Sequence, residues 1–301
     1  MLRCLPALVA VVTYLLLAPE PAAAWGPATH IMLAQDALAR VALLPAGLAG
    51  ILTRFGVDYI YGNMAADVVL AKRLSRVKQF CHHWVTGLAL FHDAETDRRR
   101  AFALGYLAHL AADTVAHGKF LPHQLMATPT STSFGHLYWE LRADQTVPDR
   151  YWRQMRRLLH QRFPEHEAAL ACRLDRAVLP FRANNRIFYS MNRLFSHQAW
   201  RRGTRVWHRM SRWPLNEQLL AEYRGECLER TSSVLTRLHD SPVLREDPNG
   251  TSALLHLRCT RRHLRKMSRA GVLTPPALAE AVAGHRPMVS QPADSYLSVV
   301  A

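Results

Sequence analysis

The chain has 301 residues, 49% hydrophobic and 20% charged, which is enough apolar material for a sizeable core and excludes a globally disordered chain. Its 38 basic and 23 acidic residues leave a formal charge of +15, a balance that suits a polyanion such as a phospholipid surface or nucleic acid. Five cysteines with no CxxC pair argue against a thiolate zinc site or a thioredoxin-like site.

Residues 1–24, MLRCLPALVAVVTYLLLAPEPAAA, read as a secretory signal: one arginine, an apolar run, then small residues. The run from Leu5 to Ala18 is too short to span a bilayer comfortably. Export to a periplasm or the medium is therefore expected, with cleavage after Ala24 giving Trp25 a free α-amine beside a rigid WGP. Cys81, Cys172, Cys227 and Cys259 would remain, and their spacing leaves three disulfide pairings open.

Beyond the signal the pattern is helical. THIMLAQDALARVALL repeats apolar residues at helical spacing, with Thr29 as a candidate N-cap. GVDYIYGNMAADVVL places Asp67 in a turn or at a helix start. AETDRRRAFALGYLAHLAADTVAH passes from a polar N-terminus into an unbroken apolar stretch, with Gly118 as a stop signal. HQLMATPTSTSFG reads as a loop, and HLYWELRAD starts another helix with Ser133 as a candidate cap. Amphipathic helices follow from Asp149 to about Ser268, and Asn249-Gly250-Thr251 fits a glycosylation sequon. The segment 271–301, rich in Pro and Ala, reads as a loosely ordered tail. With no strand alternation and no linker, the prediction is all-α: a single multi-helix domain over 25–270.

From Tyr151 to Arg212 the chain holds fourteen Arg, three acidic residues and no Lys. A basic face for phospholipid headgroups or nucleic acid is one reading. The whole chain has 34 Arg against four Lys, so a general Arg bias with solvated helix surfaces is the favoured one. Trp152, Trp200, Trp207 and Trp213 are interleaved, suited to a membrane interface or to the core.

The chemistry concentrates in LAHLAADTVAHGKF. His109, Asp113 and His117 recur every four residues, so they stack on one face of a helix that is otherwise apolar. A buried carboxylate is costly unless it is paired or binds a metal. In chain order the candidate ligands are the Trp25 amine, His30, Asp67, His82 or His83, His109, Asp113, His117, His136 and Glu140. Imidazole and carboxylate together suit zinc and similar divalent ions. His109 and His117 lie roughly 12 Å apart along a helix axis, too far for one ion, so Asp113 between them would bridge two.

WGPATH, the following Asp67, CHHW, the HLAADTVAH helix and GHLYWE resemble the zinc-dependent phospholipase C family, a relative of the single-strand-specific P1/S1-type nucleases. The resemblance covers about Trp25 to Asp144. It implies an all-helical exported protein holding up to three zinc ions. Trp25, His30 and one Asp113 oxygen would hold the first; Asp67, His82 and His109 the second, with Asp113 bridging; His117, His136 and Glu140 the third. His82 rather than His83 fits the family's His-x-aromatic order. The third-site histidine stands four residues after the bridging Asp instead of the usual six, which leaves His117 and His123 both open.

The resemblance implies a phosphodiesterase that hydrolyses the glycerol–phosphate ester of phospholipids at a membrane surface, with water attacking phosphorus and Asp67 as ligand and general base. A P1/S1-like nuclease is the alternative, its base-stacking platform drawn from aromatics such as Phe134, Tyr138 and Trp139. A non-catalytic metal-binding envelope protein is the third reading. No protein partner is implied.

Overall fold

The computed structural model describes residues 25–68, 80–128, 132–174 and 180–283, and every regular element among them is helical. The signal-like residues 1–24 lie outside the described residues. The all-α expectation holds, and no helix among the described residues is long and apolar enough to cross a membrane.

The organising element is helix α5 (Asp97–Val115), preceded by α1 (Pro27–Ala39), α2 (Ala46–Arg54), α3 (Gly56–Ala65) and α4 (Trp84–His92). Thr96 caps α5 by accepting from the Arg99 N–H at 3.3 Å, and Asp97 sits in the first turn, where a negative charge meets the positive helix end. From Ala101 onward every residue of α5 is buried. A helix apolar all round must be covered on all sides, and α3, α4 and the long α12 (Glu217–Arg237) do this.

The α3–α5 contact is backbone on backbone. A Cβ at Gly62 would fall on the Phe102 carbonyl, and one at Gly105 on the Tyr59 carbonyl. On the far side, the Cys227 thiol and Thr231 hydroxyl of α12 reach the Ala112 and Ala108 carbonyls of α5, each at 3.5 Å.

Gly118 does not stop the chain. Residues Ala116–Phe120 form a π-helical turn, and the helix continues as α6 (Leu121–Ala127). The stop reading fails because the turn is buried against neighbours and so is held by packing, which outweighs glycine's weak propensity. Part of the expected HQLMATPTSTSFG loop is thus helical, and α7 (Thr132–Asp144) begins one residue before Ser133.

The α1 start also differs from expectation. Pro27 is the first helical residue, and Thr29 lies buried inside the first turn. The cap comes from α7: Asp144 accepts from the N–H groups of Ala28 (3.2 Å) and Thr29 (2.9 Å) and from the Thr29 hydroxyl (2.6 Å). A carboxylate from another helix satisfies the orphan donors at a positive helix end.

Four more helices, α8 (Asp149–Leu159), α9 (Pro164–Arg173), α10 (Phe181–Ser196) and α11 (Gln198–Arg209), fill the Arg-rich stretch, and α13 (Thr251–Arg269) follows α12. Within the segment expected as a loose tail, Pro275–Ala283 form α14. Thr274 opens it, its hydroxyl accepting from the Ala277 N–H at 3.4 Å, and the Ala-rich run propagates it. Residues 284–301 lie outside the described residues. Cys81 and Cys227 are buried, and Cys172 and Cys259 are exposed.

Candidate metal centre

Six local structures converge on one buried cluster. His30 comes from the first turn of α1, and Asp67 from the turn after α3. His82 ends the short helical turn Phe80–His82. His109 and Asp113 stand on α5, His117 in the π-turn, and His136 on α7, with Glu140 buried one turn further along that helix. All but Asp67 are buried; its side chain is 18% exposed.

The spacing of the donor atoms is informative. His82 Nε2 lies 3.2 Å from Asp67 Oδ1 and 3.2 Å from Asp113 Oδ2. His109 Nε2 lies 3.1 Å from His82 Nε2 and 3.2 Å from Asp113 Oδ2. A tetrahedral ion with bonds of about 2.0–2.1 Å keeps its ligand atoms about 3.3 Å apart. These four separations fit neighbouring ligands of one such ion, while His109 Nε2 and Asp67 Oδ2 stand further apart at 4.0 Å; Asp67, His82 and His109 form one possible metal-holding triad, and His30, His109 and Asp113 another.

Protonation supports the same fit. His109 Nδ1 lies 2.7 Å from the Asn63 carbonyl, which can only accept, so the ring proton sits there and Nε2 presents a lone pair to the cluster. Burial and the neighbouring His30 push the His109 pKa down, so a second proton is disfavoured. Burial alone would raise Asp113; a positive partner at His109, His117 or His30, whether a protonated imidazole or a cation bound between them, is what holds the carboxyl well below the usual carboxylate range. Lone pairs and an anion thus face one another at van der Waals distance. Both oxygens of Asp113 and both ring nitrogens of His30 and His117 are buried without a hydrogen bond of good geometry. A divalent cation removes that penalty.

Two further groups adjoin this set. His30 Nε2 is 3.4 Å from the other Asp113 oxygen, and its ring stacks on His109 with centroids 3.9 Å apart. His117 Nε2 is 3.6 Å from Asp113 Oδ2, and its ring meets that of His136 edge-on at 5.1 Å. The π-turn brings His117 between Asp113 and His136, whereas His123 Nδ1 lies 3.0 Å from the Tyr223 hydroxyl of α12. His83 is the half-buried residue before α4. Trp25 is buried at the entrance to α1, its ring stacked on Phe120 of the π-turn at 4.5 Å.

Residues 29–173 match the family model described as zinc-dependent phospholipase C. That segment is a zinc-dependent phospholipase C domain. It spans every candidate ligand from His30 to Glu140, makes zinc the metal and makes the chain a hydrolase. No curated protein and no solved structure matches the chain.

Part of the phospholipase C domain's support comes from beyond the matched segment. The Asn249 side-chain amide donates to the His82 carbonyl at 3.0 Å. Gly250, at φ +59°, packs so tightly that a Cβ would strike the His117 backbone. Trp84, two residues after His82, donates its indole N–H to the Glu246 carbonyl at 2.8 Å. Glu246 in turn accepts from Arg230 at 2.9 Å, and Arg230 and Lys119 of the π-turn both pair with Glu226. Asn249 is thus turned inward, its amide nitrogen engaged, and is not presented for glycosylation. Sequence reading found the ligand types but missed Asn63, Asp144 and Asn249. Only the Asn-Gly dipeptide carried a signal, that of a turn.

Proposed function

We propose that the exported, mature chain hydrolyses the glycerol–phosphate ester of phospholipids, releasing a diacylglycerol and a phosphorylated headgroup. The observation that carries this reading is the close approach of Asp67, His82, His109 and Asp113, with donor atoms 3.1–3.2 Å from their neighbours, inside a zinc-dependent phospholipase C domain.

In this reading His30 and one oxygen of Asp113 hold a first ion, together with the amine and carbonyl of Trp25 once residues 1–24 are removed. Asp67, His82 and His109, with Asp113 shared, hold a second. His117, His136 and Glu140 hold a third. Bound zinc supplies Lewis acidity toward the phosphoryl group and acidifies water at neutral pH. Asp67 is the general base, because it alone among the cluster's carboxylates combines partial solvent access with a place beside the His82 imidazole, 3.2 Å away. Asp113, fully enclosed, supplies the carboxylate that the surrounding imidazoles share. Asn63 fixes the His109 tautomer.

The nuclease alternative draws less support. Of the three aromatics considered for a stacking platform, Tyr138 and Trp139 are buried, and only Phe134 is exposed. The deciding experiment supplies zinc-loaded mature protein with phosphatidylcholine and, separately, with single-stranded DNA. Release of phosphocholine and diacylglycerol supports the reading. DNA cleavage without phospholipid hydrolysis overturns it.

A further inference from the structure

We propose that helix α11 and the turn after it form a docking surface for an anionic phospholipid membrane. This rests on the phospholipid reading above and names the surface through which the protein would meet its substrate.

At about 100° per residue, Arg202, Arg205 and Arg209 share one sector of α11, and Val206 and Trp207 share the next with Met210, the residue that follows. All six are exposed, with Met210 80%, Val206 57% and Trp207 40% accessible. An apolar stripe of exposed aliphatic and indole side chains beside a row of guanidinium groups is the composition of an interfacial helix. The arginines match headgroup phosphates in charge and in hydrogen-bond geometry. A second copy of this chain would bring like charges together, which disfavours self-association through this face.

The surface is tied both to the body of the protein and to the metal centre. Arg201, the buried arginine of α11, pairs with Asp149 at the start of α8 at 2.6 Å. Tyr138 of α7 meets the Trp207 ring at 4.9 Å and the Ser211 hydroxyl, and Arg142 of α7 donates to His208 at 2.9 Å. Tyr138 lies two residues from both His136 and Glu140, about half a helical turn round from them. Helix α7 therefore stands between the candidate metal cluster and the docking face, one helix thickness apart.

The test compares mature zinc-loaded protein with Val206→Ser/Met210→Ser, whose positions lie on the open surface, and with Arg202→Ser/Arg209→Ser. Co-sedimentation is measured with vesicles of phosphatidylcholine and of phosphatidylcholine mixed with phosphatidylglycerol. Hydrolysis is measured on a short-chain monomeric phosphatidylcholine. The apolar variant is expected to bind mixed vesicles about tenfold or more weakly. The arginine variant should lose about fivefold per charge on mixed vesicles, a difference that salt abolishes. Monomeric substrate should be turned over at the original rate by both. Vesicle binding unchanged in both variants overturns the surface while leaving the phospholipase reading intact. Vesicle binding that depends on these residues without hydrolysis of any phospholipid keeps the surface and removes the substrate reading. A wild-type dimer that the apolar variant dissociates, or tight single-stranded DNA binding lost in the arginine variant, assigns the face to another occupant and also overturns the proposal.

Discussion

The side-chain amide of Asn249 holds the backbone carbonyl of His82 at 3.0 Å across 167 residues of sequence. A residue outside the family-matched segment thereby fixes the height and tilt of a candidate zinc ligand. Replacing it with Ala leaves the His82 carbonyl buried without this donor and frees the short helical turn carrying the imidazole. Outer partners of metal ligands typically contribute 10–100-fold in affinity. Asn249→Ala is expected to hold zinc about tenfold or more weakly, read by titration against a chromophoric chelator, with helix content unchanged by circular dichroism.

Gly250 adopts a left-handed backbone and presses on His117. A side chain there meets both penalties at once, the conformational one being on the order of 1–2 kcal/mol. Gly250→Ala should lower the thermal unfolding midpoint by several degrees and also reduce zinc content. Gly118→Ala, where nothing lies within 4 Å of the added carbon, should do neither by more than a small amount.

Asp113 is the only carboxylate within 3.6 Å of four of the cluster's imidazoles, His30, His82, His109 and His117, among the described residues. Asp113→Asn removes the enclosed negative charge and one shared oxygen donor. The variant is expected to carry at least one zinc fewer by mass spectrometry of the native protein. Full zinc occupancy in that variant would contradict the bridging role.

The pairing of Asp149 with Arg201 is sensitive to acid. The Arg201 guanidinium holds the Asp149 carboxyl below its ordinary value, so its contribution to stability is complete above about pH 4 and fades as pH falls through the lowered value. Because Asp149 is largely exposed, Asp149→Asn should cost less than about 1 kcal/mol at pH 7. Urea midpoints of wild type and variant should draw together as pH falls from about 4 through the lowered value.

Cysteine reactivity follows burial. Burial pushes the Cys227 thiol up to about 12, so it is not a thiolate at neutral pH. Native protein should take up alkylating reagent at Cys172 and Cys259 only, with Cys81 and Cys227 labelled after unfolding, as read by peptide mass mapping.

How much of this was legible in the sequence depends on range. The four-residue spacing of His109, Asp113 and His117 is a local pattern, carried by α5 and the π-turn that continues it, and local patterns survive in sequence. The pair His136 and Glu140 was legible for the same reason. Asp144 capping α1 and Asn249 supporting His82 are side chains from one segment satisfying the backbone of another more than a hundred residues away. Nothing in their neighbours announces this. Thr29 and Gly118 misled because cap and stop signals describe isolated helix ends, whereas here a distant carboxylate and a packed π-turn decided the outcome. The tail helix Pro275–Ala283 was hidden by its prolines, which sit where a helix tolerates them.

The widened turn at Ala116–Phe120 has a bearing on length variation. A π-turn holds one residue more than the regular spiral needs, so losing a single amino acid there would restore ordinary winding and leave the downstream helix in nearly the same phase. The change would fall on the turn itself, which carries His117 toward Asp113, Lys119 toward Glu226 and Phe120 toward Trp25. A shortened chain could thus keep both flanking helices seated and still lose a candidate ligand, which makes the residue count here a mark for recognising homologues that share the centre.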